Sequence, residues 1–366
     1  MKLFHKHEEK KLQLHNRVVM APMTRARNEK GIYNALNAEY YRQRAGEKGA
    51  GLIITEAINI ADDAIGMVFV PGIFTPEMIA GAKLVTDAVH EKGSKIFAQI
   101  WHVGRISHTS LHPQNLPPKG PSHIKGENTF AYGFLENGET GFIPTSEPEA
   151  LTLDEIQNVI NQFVTAAKNS IEAGFDGIEL HGANGYLIEQ FINPHVNNRS
   201  DQYGGSIKNR VQFLLDVLDA VADEIGYDKI GVRISPYGTI QALPTFEEAE
   251  ETFLYIAQEL SKRNIAYTHL MDQMIGGNRT IPEEFLLKFR KSYHGNIILA
   301  GGMTKEFAEE LIQNNIIDLA AFGAPFIANP DFTYRLQNNL PMNEPHRETF
   351  FGGNDVGYTD YPFYQE

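Results

Sequence analysis

The chain has no cysteine in 366 residues, which removes disulfides, thiolate nucleophiles, cysteine-ligated zinc and iron–sulfur clusters together. It also lacks any apolar run near the ~18 residues a membrane helix needs, and residues 1–11 are charged where an export signal would be apolar. These two absences predict a cytoplasmic protein. Without an export signal, the sequons Asn198-Arg199-Ser200 and Asn278-Arg279-Thr280 read as chance matches. Positive charge is scarce as well. With 32 Lys+Arg against 46 Asp+Glu, the formal charge of -14 repels nucleic-acid phosphates and anionic lipid surfaces. The expected partner is a small-molecule substrate, with no nucleic acid and no membrane, bound by a monomer or homo-oligomer. No fixed-period repeat or low-complexity linker divides the chain. The tract His5-Lys6-His7 has no third ligand in view, so it reads as solvated surface and no metal site is predicted.

With 42% hydrophobic residues the chain is long enough for a large core. Short β-branched or apolar runs alternate with amphipathic stretches from end to end, the pattern of a parallel sheet with crossover helices. Eight such units place strands at 17–20, 51–55, 95–100, 177–181, 230–235, 266–271, 296–300 and 318–323. Eight units favour closure into a (β/α)₈ TIM barrel over a doubly wound open sheet, as one domain spanning residues 1–366. Thr152 with Glu155, and Thr245 with Glu248, have the spacing of a capping box, and Pro76 suits a first helical turn. Between the third and fourth strands, residues 102–148 are dense in Pro, Gly and His. An insertion of that length usually carries function or covers a site.

In such a barrel the chemistry sits where strands end and βα loops begin. The first strand is followed by Ala21-Pro22-Met23-Thr24-Arg25, and the third closes in Gln99-Ile100-Trp101-His102-Val103-Gly104-Arg105. After the fourth comes His181-Gly182-Ala183-Asn184-Gly185-Tyr186, running on through Gln190-Phe191 to Asn209-Arg210. The fifth carries Arg233, the seventh ends in Gly301-Gly302, and the eighth in Gly323-Ala324-Pro325. No G-x-G-x-x-G follows a strand, so a Rossmann dinucleotide site is not indicated. Any one of the 13 histidines, taken alone, is more often structural than catalytic. Its place in the motif favours His181, whereas His102 reads as an orienting neighbour.

These stretches, with the ending Gly357-Tyr358-Thr359-Asp360-Tyr361-Pro362, resemble the old yellow enzyme family of FMN-dependent ene reductases over essentially the whole chain. The resemblance implies FMN as cofactor and NADPH or NADH as transient reductant. Hydride would pass through the flavin to the activated C=C bond of α,β-unsaturated carbonyl or nitro compounds. Cofactor contacts are implied for Pro22, Met23, Thr24, Ala57, Gln99, Arg233, Gly301, Gly302, Gly323 and Ala324. Gln99 can both donate to and accept from the pyrimidine edge, and Arg233 can stabilise negative charge there. His181 and Asn184 are implied as donors to the substrate oxygen, with Tyr186 as proton donor. Trp101, Met67 and Phe351 are expected to shape the substrate pocket. Thr24 stands where thiol-bearing relatives have Cys, so the chain resembles the Thr-type branch. One departure bears on the cofactor: Ala324 stands where the family has an arginine that reaches the FMN phosphate. Two rival readings are a flavin-poor relative that binds phenolic or carbonyl ligands without efficient turnover, and a phosphate-binding barrel lyase or isomerase. The latter would need a strand-end Lys, and none is present.

Overall fold

The computed structural model of the chain describes residues 1–8 and 11–365. Eight parallel strands close on themselves: β1 (Val18–Met20), β2 (Leu52–Ile54), β3 (Lys95–Trp101), β4 (Gly177–Gly182), β5 (Ile230–Ile234), β6 (Tyr267–Met271), β7 (Asn296–Ala300) and β8 (Leu319–Phe322). Each lies within one residue of its expected bounds. Closure is made by β1, which pairs with β8 through Val19 and Ala321 and with β2 through Met20 and Ile53.

Successive strand residues face opposite sides, and the composition of each strand follows that period of two. Val18, Ile96, Ile178, Val232, Leu299 and Ala320 pack outward against the helices. Val19, Leu52, Ile54, Phe97, Tyr267, Ile298 and Leu319 fill the barrel. Gly231 is required here by close approach, because a Cβ on it would lie 2.2 Å from the Tyr267 ring. Below the strands, Leu12 and Leu14 join the interior cluster and close the barrel floor.

That floor corrects the expectation of solvated surface for His5-Lys6-His7. His5 and Lys6 are exposed, but His7 is buried, exchanges two backbone hydrogen bonds with Leu14, and bonds through Nε2 to Asn296 Oδ1 at 2.9 Å. Its charged neighbours make the segment look like solvated surface, whereas the two leucines after it plug the barrel and draw His7 in.

The helices carry the expected start signals with one exception. In the helix Leu153–Glu172, Glu155 N–H donates to Thr152 Oγ1 at 3.2 Å and Thr152 N–H to Glu155 Oε2 at 2.8 Å, the predicted reciprocal cap. Such a cap contributes about 1 kcal/mol. The helix Pro76–His90 begins at Pro76 as expected, capped by Thr75. The pair Thr245 and Glu248 forms no box: the helix Ala249–Arg263 starts after Glu248 without a side-chain cap. The Glu248 carboxylate is drawn instead to Arg210 Nη2 at 2.7 Å. Among the described residues, no helix is long and apolar enough to cross a membrane.

The insertion after β3 folds over the barrel mouth. Its centre is an antiparallel hairpin of Phe130–Phe134 and Thr140–Pro144, turning near Asn137-Gly138 with Gly138 at φ 84°. Tyr132 N–H donates to Gly66 O at 3.0 Å and Val68 N–H to Tyr132 O at 2.9 Å, tying the hairpin to the loop after β2. Arg105 secures the rest, donating to Ile124 O, Gln241 O and Ala242 O at 3.0, 3.2 and 3.0 Å.

Candidate active site

The inward parity that fills the barrel with Phe97 and Tyr267 continues upward into polar residues. Two positions on from Phe97 comes Gln99, and two on from Tyr267 comes His269. Register sets Gln99 beside Glu179, and Arg233 between His181 and His269. Glu179 is fully buried and accepts from Gln99 Nε2 at 2.7 Å and from His269 Nδ1 at 2.9 Å. Burial opposes its ionisation, and the two N–H donors with the Arg233 charge overcome that, holding the carboxyl below its usual range. Glu179 and Arg233 share no direct hydrogen bond, and their charges favour each other across neighbouring strands. Arg233 is 5% exposed and, among the described residues, donates only to Met271 Sδ at 3.1 Å and leaves its Nε buried without a partner.

Arg233 lines a cavity of about 440 Å³ at the C-terminal barrel face, together with Pro22, Met23, Gly301, Gly302, Gly323 and Ala324. The structure therefore brings seven of the ten expected cofactor residues to one cavity. Gln99 does not line it and gives one amide hydrogen to Glu179. Thr24 follows Met23 and is half-buried, and Ala57 packs with Trp101. The residues fit FMN: a buried guanidinium with an unpartnered N–H faces the cavity that a flavin ring would enter, and glycines form its far end. The loop with Pro22 and Met23 is held from behind by Arg25, whose Nε and Nη2 donate to Phe350 O at 2.9 Å and Gly357 O at 2.8 Å.

Beside that cavity, Trp101, His181 and Tyr186 form an aromatic corner. Trp101 and His181 stack with centroids 5.9 Å apart, and Tyr186 meets them edge-on at 4.6 and 5.0 Å. Trp101 is fixed by its Nε1–H on Asn59 Oδ1 at 2.8 Å. Burial first, and then the Arg233 guanidinium, push the His181 imidazole well below its usual range, so it is neutral at pH 7. Ala183 N–H donates to His181 Nδ1 at 3.3 Å, which leaves the proton on Nε2. Asn184 accepts at Oδ1 from Gln273 Nε2 at 3.3 Å, and its amide hydrogens have no protein acceptor among the described residues. Burial pushes the Tyr186 hydroxyl up to about 12, against a hydrogen bond with Gln241 and the Arg233 charge. Tyr186 lines a small pocket with Met67, Trp101, Gln241, Phe130, Tyr132 and Phe142. Met67 also borders a wider apolar cavity of about 620 Å³ walled by Phe69, Phe74 and Phe134. His102 is buried, pushed down to about 4 by that burial, and accepts from Gly104 N–H at 3.0 Å. Phe351 stands apart, 51% exposed and lining none of these three cavities.

Sequence reasoning passed over Phe130, Tyr132 and Phe142, although Asn137-Gly138 between alternating apolar residues is a hairpin signal. It also passed over Glu189 and Ser235, which hold the Asn184 turn. Asn184 has φ 56° and Gly185 φ 79°, and a Cβ on Gly185 would lie 2.6 Å from Ile240 O. Asn184 N–H donates to Ser235 Oγ at 2.9 Å, Ser235 donates to Glu189 Oε1 at 2.6 Å, and Gly185 N–H to Glu189 Oε2 at 2.7 Å. Burial pushes the Glu189 carboxyl up to about 7, against those bonds. A folded value above the ordinary 4.5 means that the associated stability is complete below about pH 4.5 and is lost as pH rises through about 7. Glu189→Gln keeps an acceptor for Gly185 and removes the titration. Its melting temperature should therefore lack the decline across this window that the parent shows. Identical pH profiles would assign that decline to another group.

A profile of the NADH:flavin oxidoreductase / NADH oxidase family matches residues 2–343. The chain is 40% identical over 361 residues to 12-oxophytodienoate reductase 1 of Oryza sativa subsp. japonica, covering 97% of this chain and 91% of that one. It is also 40% identical over 358 residues to 12-oxophytodienoate reductase 2 of Arabidopsis thaliana, covering 96% and 93%. Among solved structures, morphinone reductase in complex with tetrahydroNAD superposes with a TM-score of 0.95 at 42% identity, covering 100% of this chain and 98% of that one. With the barrel, the cavity at its mouth and this likeness over nearly the whole length, the chain belongs to the NADH:flavin oxidoreductase / NADH oxidase family, the old yellow enzymes, as an FMN-dependent oxidoreductase that takes NADH or NADPH as reductant.

Proposed function

We propose that the protein reduces the activated C=C bond of α,β-unsaturated carbonyl and nitro compounds, with His181, Asn184 and Tyr186 acting on the substrate. FMN, when bound in the barrel-mouth cavity, supplies the two-electron exchange between reduced nicotinamide and alkene. Arg233 and Gln99 would hold its pyrimidine edge, Thr24, Pro22, Met23 and Ala57 its ring, and the glycines with Ala324 its phosphate end.

The observation that carries this reading is the aromatic corner itself, where His181 and Tyr186 pack with ring centroids 5.0 Å apart against Trp101. As the β-carbon of an enone gains a hydride, negative charge collects on the carbonyl oxygen. Neutral His181 with its proton on Nε2, and the Asn184 amide, are two donors suited to that charge. Tyr186 keeps its proton at neutral pH and can deliver it to the α-carbon, whose enolate form is a far stronger base than any group in the pocket. Trp101 and Met67, with the hairpin aromatics, give the apolar walls that a carbonyl compound needs around one polar anchor.

Incubation with NADPH or NADH and a cyclic enone in deuterated water tests this. The expected product is the saturated ketone carrying deuterium at the α-carbon. Formation of the allylic alcohol, or nicotinamide oxidation that is independent of the enone, would overturn it.

A further inference from the structure

The glycine end of the cavity presents an electrostatic problem. Arg233 is the only cation lining that cavity among the described residues, and Ala324 leaves the far end without one. Loops after the seventh and eighth strands of such barrels, with a short following helix, frequently bind phosphate. Here those loops contribute Gly301, Gly302, Met303, Gly323 and Ala324.

Arg279, in the loop after β6, does not line that cavity but reaches the Gly301-Gly302 turn. Its Nη1 donates to Gly301 O at 3.3 Å and its Nη2 to Gly302 O at 2.9 Å. The guanidinium stacks 3.8 Å from the Phe307 ring centroid and lies 3.5 Å from Asp272 Oδ2. Asp272, 1% exposed, folds this loop back by accepting from Met274 N–H at 3.2 Å and Thr280 N–H at 2.7 Å. The turn itself is committed to glycine: Gly301 has φ 105° and Gly302 φ 54°, and a Cβ on Gly301 would lie 2.0 Å from Asp272 O.

In a trans peptide the C=O and N–H point in opposite directions. A guanidinium that holds the Gly301 and Gly302 carbonyls therefore turns the N–H groups of Gly302 and Met303 the other way, toward the cavity both residues line. Neither N–H has a protein acceptor among the described residues. We propose that Arg279 is a positioning residue for the FMN phosphate, fixing these two peptide donors and contributing positive charge that Ala324 cannot. This rests on the reading that FMN occupies the cavity with its phosphate at the glycine end.

FMN and riboflavin differ only in the phosphate, so their binding to the flavin-free full chain, followed by flavin fluorescence, separates the possibilities. Arg279→Met, which retains a long side chain over Phe307, should weaken FMN about 10-fold while changing riboflavin by less than about twofold. Arg279→Lys should fall between parent and Arg279→Met, since it keeps the charge but not the two-carbonyl grip. Equal weakening of both flavins by Arg279→Met would make Arg279 a support of the loop alone, and no change in either would remove it from the site; both overturn the proposal. If the parent itself binds riboflavin as tightly as FMN, the placement of the phosphate falls, and the proposal with it.

Discussion

Replacing His181 and Asn184 together with alanine should weaken the binding of a para-substituted phenol by about 10²- to 10⁴-fold, because two hydrogen bonds to a charged oxygen vanish at roughly 1.5–3 kcal/mol each. A phenolate oxygen resembles the charge that develops on a substrate carbonyl, so enone reduction should fall with it. Flavin binding should survive, since Arg233, Gln99 and the glycine loops lie on other strands. Spectral titration of the flavin-loaded variant reads both effects. Unchanged phenol affinity with unchanged enone turnover would remove the assigned oxyanion pair.

Tyr186→Phe should slow enone reduction by about 10²-fold or more, the usual cost of losing a positioned acid. Reduction of the flavin by NADPH or NADH should stay near the parent rate, because that half-reaction needs no proton from Tyr186. The substitution removes one hydroxyl and keeps the ring that packs edge-on against Trp101 and His181. Stopped-flow measurement of each half-reaction distinguishes the roles. Comparable loss in both would mean that the aromatic corner, rather than the proton, had been disturbed.

Much of the scaffold was legible in the chain because barrel strands are short, apolar and regularly spaced. Their inward parity also carries Gln99, His181 and Arg233 to one place once the register is known. What stayed hidden was decided by contacts between distant segments. Glu248 looks like the far half of a capping box, yet Arg210 on another helix takes its carboxylate. His7 looks like part of a charged tail, yet Asn296 on β7 receives it inside the floor. Glu179 and His269 are 90 residues apart and form their buried pair only through β4, β5 and β6. Local periodicity reports which face a residue takes, not which partner waits there. Arg279 shows the same limit, since its sequence context reads as a chance sequon while its guanidinium reaches across to the loop after β7.

In the proposed cycle one flavin site at the barrel mouth links nicotinamide oxidation to reduction of an activated alkene. The decisive experiment is anaerobic double mixing of the FMN-loaded protein, with visible absorbance followed as NADPH or NADH is added first and an enone second. The flavin band should bleach on the first addition and return on the second, fast enough to support turnover, with one equivalent of saturated ketone formed. A band that bleaches and then stays bleached in the presence of enone, nitroalkene and enal alike would contradict it.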